Sequence, residues 1–240
     1  MHLVDQTALA EVFPRNPLKE VAFEVRYPFS LRIQRDVCDV QEIVRAEYPN
    51  FQVDEIQPVD GSPALLHTFQ NADGTRMVRV SEDRFLVAFT EYKDFDCFQA
   101  EALGRTKEFC DLFGIRQFSR VGLRYINNIE VGKEGSVYQV TRVVNPYFDI
   151  KRATESGPMR FQLEVTMKKP SCVLTVRTAF AGKPVDQPNA VYLLDLDAFV
   201  LSETALEDLE KLSNELHHQT QVEFLAHVTE AYKEIMRGRS

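Results

Sequence analysis

Glu20-Val-Ala-Phe-Glu-Val-Arg-Tyr27 alternates at every step: Val21, Phe23, Val25 and Tyr27 fall on one face, and Glu20, Ala22, Glu24 and Arg26 on the other. A period of two marks a half-buried β-strand. Pro28 ends it, and Ile33, Val37, Val40, Ile43, Val44 and Tyr48 then recur at helical spacing as far as Pro49. A strand over residues 51–69, interrupted near Asp60-Gly61-Ser62-Pro63, is expected next. Asn71-Ala-Asp-Gly74 has the composition of a turn into a strand over residues 76–80, and residues 84–90 complete a meander. Asp96 and Gln99 have capping-box spacing, and the helix they open carries the stripe Phe98, Ala102, Thr106, Phe109 and Phe113 before Gly114 stops it. The first half reads β-α-β-β-β-α.

The second half repeats the outline. Residues 118–131 form a long strand with Val121, Leu123, Tyr125 and Ile129 on one face. Residues 136–150 fit helical spacing through Val137, Val140, Val143 and Val144, although β-branched residues disfavour a helix. Residues 160–168 and 171–180 read as a hairpin around Lys169-Pro170, and residues 190–200 as a further strand. Thr204 and Glu207 form a second capping box ahead of Leu209, Leu212 and Leu216. The polar run 217–221 then breaks the stripe before Phe224, Leu225, Val228, Tyr232 and Ile235 resume it, so two helices or one kinked helix end at Gly238.

The expected fold is therefore α+β: two similar β-α-β-β-β-α halves, residues 1–114 and 115–240, with mainly antiparallel sheets and a C-terminal helical segment. The halves are two domains or one continuous one. Arg26-Tyr27 and Arg124-Tyr125 close matching strands, which points to an internal duplication.

Composition bounds function. The chain has 240 residues, 44% of them hydrophobic, enough for a substantial core. A net charge of −8 without a dense Lys/Arg run argues against a nucleic-acid partner. The first residues lack a secretory signal, no apolar run is long enough to span a membrane, and the four cysteines are unpaired in spacing. A cytoplasmic protein with buried thiols is expected.

Two segments carry a resemblance. Asn16-Pro-Leu-Lys-Glu-Val-Ala-Phe-Glu-Val-Arg26 and Arg120-Val-Gly-Leu-Arg-Tyr-Ile-Asn127 resemble the opening and central strands of a sporadically distributed family of uncharacterised bacterial proteins. Its members share this length and a helical end like residues 223–238. The resemblance covers nearly the whole chain and implies an accessory, mobile-element or phage-defence setting. It assigns no chemistry.

Charge on strand faces offers the candidate site. Glu20, Glu24 and Arg26 share a face of the first strand, Arg120, Arg124 and Asn128 a face of the central one, and Glu164 lies on an alternating polar face of residues 160–168. Turned inward, Glu24, Arg26, Arg120, Arg124, Asn128 and Glu164 would line a polar cavity in which arginine forks hold a small anion. Turned outward, they are the solvated face of an antiparallel sheet. Arg124 is the favoured position because Gly122 beside it leaves room for a close approach; its structural alternative is an ion pair with Glu24 or Glu164. On the functional reading, Arg124→Ala leaves the melting temperature nearly unchanged.

Asp195 and Asp197 could offer oxygen ligands to Mg²⁺, but further ligands are not identifiable. The sequence contains no HExxH, GxSxG or phosphate-loop pattern, and His217-His218 is expected in solvent. No catalytic residue, metal ligand or cofactor is assigned. The sequence-based expectation is a non-enzymatic binding or accessory protein that acts through a protein partner or a small anionic ligand. Partner binding or self-association would use the C-terminal helices. The alternative is an enzyme acting on a nucleotide or phosphate compound in a polar sheet-lined cavity.

Overall fold

The computed structural model describes residues 13–56, 64–135, 137–148, 160–181 and 190–239. In chain order the elements begin β1 (Leu18–Arg26), α1 (Leu31–Arg35), α2 (Val37–Val44), β2 (Asn50–Ile56), β3 (Ala64–Gln70), β4 (Arg76–Val80), β5 (Arg84–Phe89) and α3 (Phe95–Phe113). They continue β6 (Gln117–Phe118), β7 (Arg120–Val131), β8 (Lys133–Glu134), β9 (Val137–Tyr138) and α4 (Val140–Val143). The chain ends β10 (Arg160–Lys168), β11 (Val173–Ala181), β12 (Ala190–Val200), β13 (Thr204–Ala205), a 3₁₀ turn, α5 (Leu209–His227) and α6 (Glu230–Met236). The class is α+β with extensive antiparallel sheet and a helical C-terminus.

Two compact units divide the chain. The first is residues 20–123 with 199–216; the second is residues 1–19, 124–198 and 217–240. In the first unit the strands lie in the order β1-β5-β4-β3-β2. The apolar face of β1 meets the same face of β5, with Val21 opposite Phe89, Phe23 opposite Val87 and Val25 opposite Phe85. α3 covers that face through its own stripe: Phe98 meets Phe89 edge-on at 5.1 Å and Phe109 stacks on Phe85 at 4.5 Å. The other face is not wholly polar, since Ala22, Met77 and Ala88 form a small buried cluster with Leu86.

In the second unit the order is β10-β11-β12-β7, with β10 and β11 an antiparallel hairpin from Arg160 opposite Ala181 to Lys168 opposite Val173. Leu174, Val176, Tyr192, Leu194 and Ile129 are buried at 0–1% exposure and form its core face.

Several boundaries differ from the sequence reading. The expected strand over residues 51–69 is a hairpin of β2 and β3, whose reversal around Asp60-Gly61-Ser62-Pro63 lies outside the described residues. The first half thus has one strand more than its β-α-β-β-β-α reading. The cap of α3 is Asp94, which accepts the Cys97 N–H at 2.8 Å, not Asp96. Gln99 instead donates from Nε2 to Ser213 Oγ at 2.7 Å. Gly114 ends α3 in the left-handed region at φ 73°, which a glycine adopts without Cβ strain.

Within residues 136–150, the described part yields only β9 and the four-residue α4. Thr204 does not cap a helix; it pairs in β13 with Phe118. The polar run 217–221 stays helical because its side chains find partners: Tyr125 Oη lies 2.8 Å from His217 Nδ1, and the Thr220 hydroxyl donates to the His217 carbonyl at 2.8 Å. The real break follows His227, where Thr229 N–H leaves the helix for the Val143 carbonyl at 3.0 Å. The Thr229 hydroxyl then caps α6 by accepting from Tyr232 N–H at 3.1 Å.

Candidate functional site

Within the first unit the predicted residues do meet. Glu24 Oε1 accepts from Arg26 Nε at 2.8 Å and from Arg120 Nη1 at 2.7 Å, so one carboxylate oxygen joins β1 to β7. The Arg120 guanidinium also lies over the Phe199 ring, 4.6 Å from its centroid, and the two side chains of the Glu24–Arg120 pair are only 15% and 13% exposed. Gly122 makes this possible. A Cβ there would sit 2.5 Å from Arg120 Nη1, so the space the sequence left open is filled by the neighbouring arginine. The group approached at Gly122 is Arg120, on the same strand, not a ligand at Arg124.

Within the second unit Arg124 makes a bidentate pair with Asp195: Nε to Oδ1 at 2.8 Å and Nη2 to Oδ2 at 2.7 Å. The Asp195 side chain is 4% exposed, against 44% for Arg124. Arg177 Nη1 approaches Asp195 Oδ2 at 3.6 Å and Asp197 Oδ2 at 3.9 Å, and Arg177 Nε donates to Glu164 Oε2 at 2.5 Å. The row Arg124–Asp195–Arg177–Glu164 therefore crosses β7, β12, β11 and β10 with alternating sign. Glu164 faces Arg177 because the β10/β11 register sets the two residues opposite each other. Asn128, a neutral amide, joins neither row through a described side-chain hydrogen bond; its backbone N–H donates to the Pro17 carbonyl at 2.9 Å.

The Asp195-Leu-Asp197 pair thus serves arginines. Among the described residues no group of three or more His, Cys, Asp or Glu side chains is placed to hold a metal ion. The thiols also differ from expectation, since Cys38 and Cys97 are exposed while Cys110 and Cys172 are buried. Between α3 and its sheet, a narrow apolar crevice lined by Phe23, Phe98, Leu123 and Ser213 leaves no room even for a water molecule. Small-molecule sites usually hold about 300–1,000 Å³.

A polar cluster under α5 in the second unit escaped the sequence reading. Glu223 is 8% exposed; its carboxylate accepts from Lys169 Nζ at 2.9 Å and from the Tyr147 hydroxyl. One turn further on, the fully buried Tyr192 has its hydroxyl 2.8 Å from His227 Nε2. Burial pushes the His227 imidazole down to about 4, with Glu223 opposing, and pushes the Tyr192 phenol up to about 12. His217, expected in solvent, is likewise driven down to about 4 by burial and then by His218.

The buried positions Ser213, Thr220, Glu223 and His227 recur at spacings of seven, three and four, so α5 buries a polar stripe. A search for apolar periodicity passes over such a stripe; the signal was the helical spacing of Glu and His themselves.

No protein-family model matches the chain, and no curated protein is similar to it. No described helix is long and apolar enough to cross a membrane.

Proposed function

We propose that the chain is a non-enzymatic binding or accessory protein that acts through a protein partner. The observation carrying this reading is that the strand-face arginines already have carboxylates: Arg26 and Arg120 share Glu24, and Arg124 and Arg177 share Asp195. A small anion would compete there with charge-assisted hydrogen bonds already made, and displacing Glu24 or Asp195 would leave a nearly buried carboxylate without its partner. A protein surface needs no such displacement, because a fixed pattern of alternating charge can be matched from outside. Exposed Ile235 on α6 supports the C-terminal helices as one contact, open to a partner or a second copy.

A cytoplasmic location, membership of the bacterial family that the β1 and β7 motifs resemble, and its mobile-element or phage-defence setting belong to the same proposal, as does duplication. Duplication draws support from strand order: β1 lies beside β5, the last strand of its meander, and β7 lies beside β12, the last of its own. Native mass spectrometry of protein drawn from its own host tests the functional reading. A stoichiometric protein chain is expected. A retained nucleotide or phosphate compound without such a chain would favour the enzyme alternative.

A further inference from the structure

Arg79 breaks the pairing pattern of the first unit. Every other arginine there stands within ion-pair distance of a carboxylate. Arg79, on β4 and partly buried, makes no ion pair or ring contact among the described residues. Strand register explains why. It sets Glu24 opposite Leu86, Leu86 opposite Arg79, Arg79 opposite Thr68 and Thr68 opposite Gln52. Opposed residues share a face, so this row crosses the sheet on the side away from α3. Leu86 separates Arg79 from Glu24, which lies two strands or about 10 Å away. Glu24 in any case already serves Arg26 and Arg120, and Asp54 accepts from Gln52 Nε2 at 3.4 Å.

Thr68 is incomplete in a matching way. It is 1% exposed, and its Oγ1 has no hydrogen-bond partner among the described residues. Buried polar atoms are almost always paired, and a hydroxyl has one proton to donate. A guanidinium without an anion and a buried hydroxyl without an acceptor thus stand directly opposite each other, with Cβ atoms about 5 Å apart. Both lack the same thing, an acceptor oxygen bearing negative charge. The adjoining row is apolar: Ala22, Ala88 and Met77 form a buried cluster on which Leu86 packs.

We propose that Arg79 and Thr68 together receive one carboxylate side chain, an Asp or Glu, from a partner protein whose neighbouring apolar side chains rest on Leu86. The guanidinium fork takes the carboxylate oxygens, and the Thr68 hydroxyl donates to one of them. One free cation and one hydroxyl match the single charge of a carboxylate. A phosphate dianion would meet that same lone cation in a chain of net charge −8, with Glu24 and Asp54 on the same face. The apolar neighbours fit an acid carried on a polypeptide better than a free one. The inference rests on the protein-partner reading and adds a contact apart from the C-terminal helices.

The test uses the full chain and four probes: a capped peptide with one glutamate between leucines, its glutamine counterpart, acetate and inorganic phosphate. The Arg79 Nε–H resonance, assigned by its loss in Arg79→Gln, reports pairing. The glutamate peptide should shift it, with the glutamine peptide, acetate and phosphate each at least 10-fold weaker. Arg79→Gln should leave Tm unchanged, since it strands no carboxylate, and weaken the glutamate peptide at least 10-fold. Arg79→Lys keeps the charge without the fork and should weaken it by less. Thr68→Val should hold or raise Tm, by removing an unpaired buried hydroxyl, and weaken the glutamate peptide at least 3-fold. Equal binding of the two peptides would overturn the proposal, as would phosphate binding tighter than the glutamate peptide. So would a Tm loss in Arg79→Gln or Thr68→Val with unchanged binding, or no binding by either peptide. If the peptides fail while a chain still co-purifies from the host, the Arg79 assignment falls alone; if no chain co-purifies, the underlying reading falls with it.

Discussion

Lowering the pH from 7 to 5 should destabilise this protein through its buried histidines, and His227 gives the clearest case. Its imidazole is 2% exposed, hydrogen-bonded to Tyr192, 5.4 Å from the Tyr147 ring and near Glu223, which Lys169 neutralises. Burial holds it near 4, whereas in the unfolded chain it titrates near its ordinary value of 6.5. A depressed histidine means that the unfolded state takes up a proton the folded state refuses. Stability is therefore full above pH 6.5, falls as pH drops through that value, and stops falling once the folded imidazole protonates near 4.

With those two values, His227 alone accounts for a loss of about 2 kcal/mol between pH 7 and pH 5, and about 3.4 kcal/mol below pH 4. Against the total of about 5–15 kcal/mol typical of a domain, that is measurable. His217 moves in the same direction by burial and His67 likewise, so the wild-type loss exceeds the share of His227. The assay is urea unfolding at both pH values followed by circular dichroism, since the chain has no tryptophan. His227→Gln keeps a hydrogen-bonding partner for Tyr192 and cannot titrate. Its loss between pH 7 and 5 should be smaller than that of wild type by about 2 kcal/mol. Equal losses in both proteins would refute the argument.

Arg124→Ala should lower stability by about 1–3 kcal/mol, because Asp195 keeps only the longer contact with Arg177. Asp195→Asn in that background should recover part of the loss, and an unchanged Tm in Arg124→Ala would remove the structural role. Lys169→Met should cost about 2–3 kcal/mol by stranding the buried Glu223 carboxylate, read by thermal unfolding. Gly122→Ala should push the Arg120 guanidinium off Glu24 and cost about 1 kcal/mol, with little further loss on adding Arg120→Ala. Gly114→Ala should cost about 1 kcal/mol through its left-handed backbone, again by thermal unfolding.

Local periodicity made much of the fold legible. The alternation of residues 20–27 and the stripe from Phe98 to Phe109 locate β1 and α3, because one-sided burial leaves a record in every second or every third-to-fourth residue. Boundaries failed where partners outside the window decide. Gln99 has the right spacing for a capping box but is claimed by Ser213, and Asp94 caps instead. Residues 217–221 look like a helix break because they are polar, yet the sheet offers Tyr125 to His217 and the helix continues. Propensity is a weak prior when tertiary contacts compete with it.

The same distinction explains the site. Alternation tells that Glu24, Arg120, Arg124 and Glu164 sit on polar strand faces, but strand order decides whom they meet. Glu24 reaches Arg120 across 96 positions of sequence, and Arg124 reaches Asp195 across 71. Once those pairs form, charge along a strand ceases to measure charge available to a ligand. In the second unit's row each guanidinium is opposed by a carboxylate at hydrogen-bond distance, so the local field there is that of alternating dipoles. Such a field decays quickly into water and is further screened beyond about 8 Å at physiological salt. It discriminates at contact range, where a partner must match sign position by position, and has little reach with which to steer a free anion. That is the physical argument behind the proposal of a protein partner over a small charged ligand.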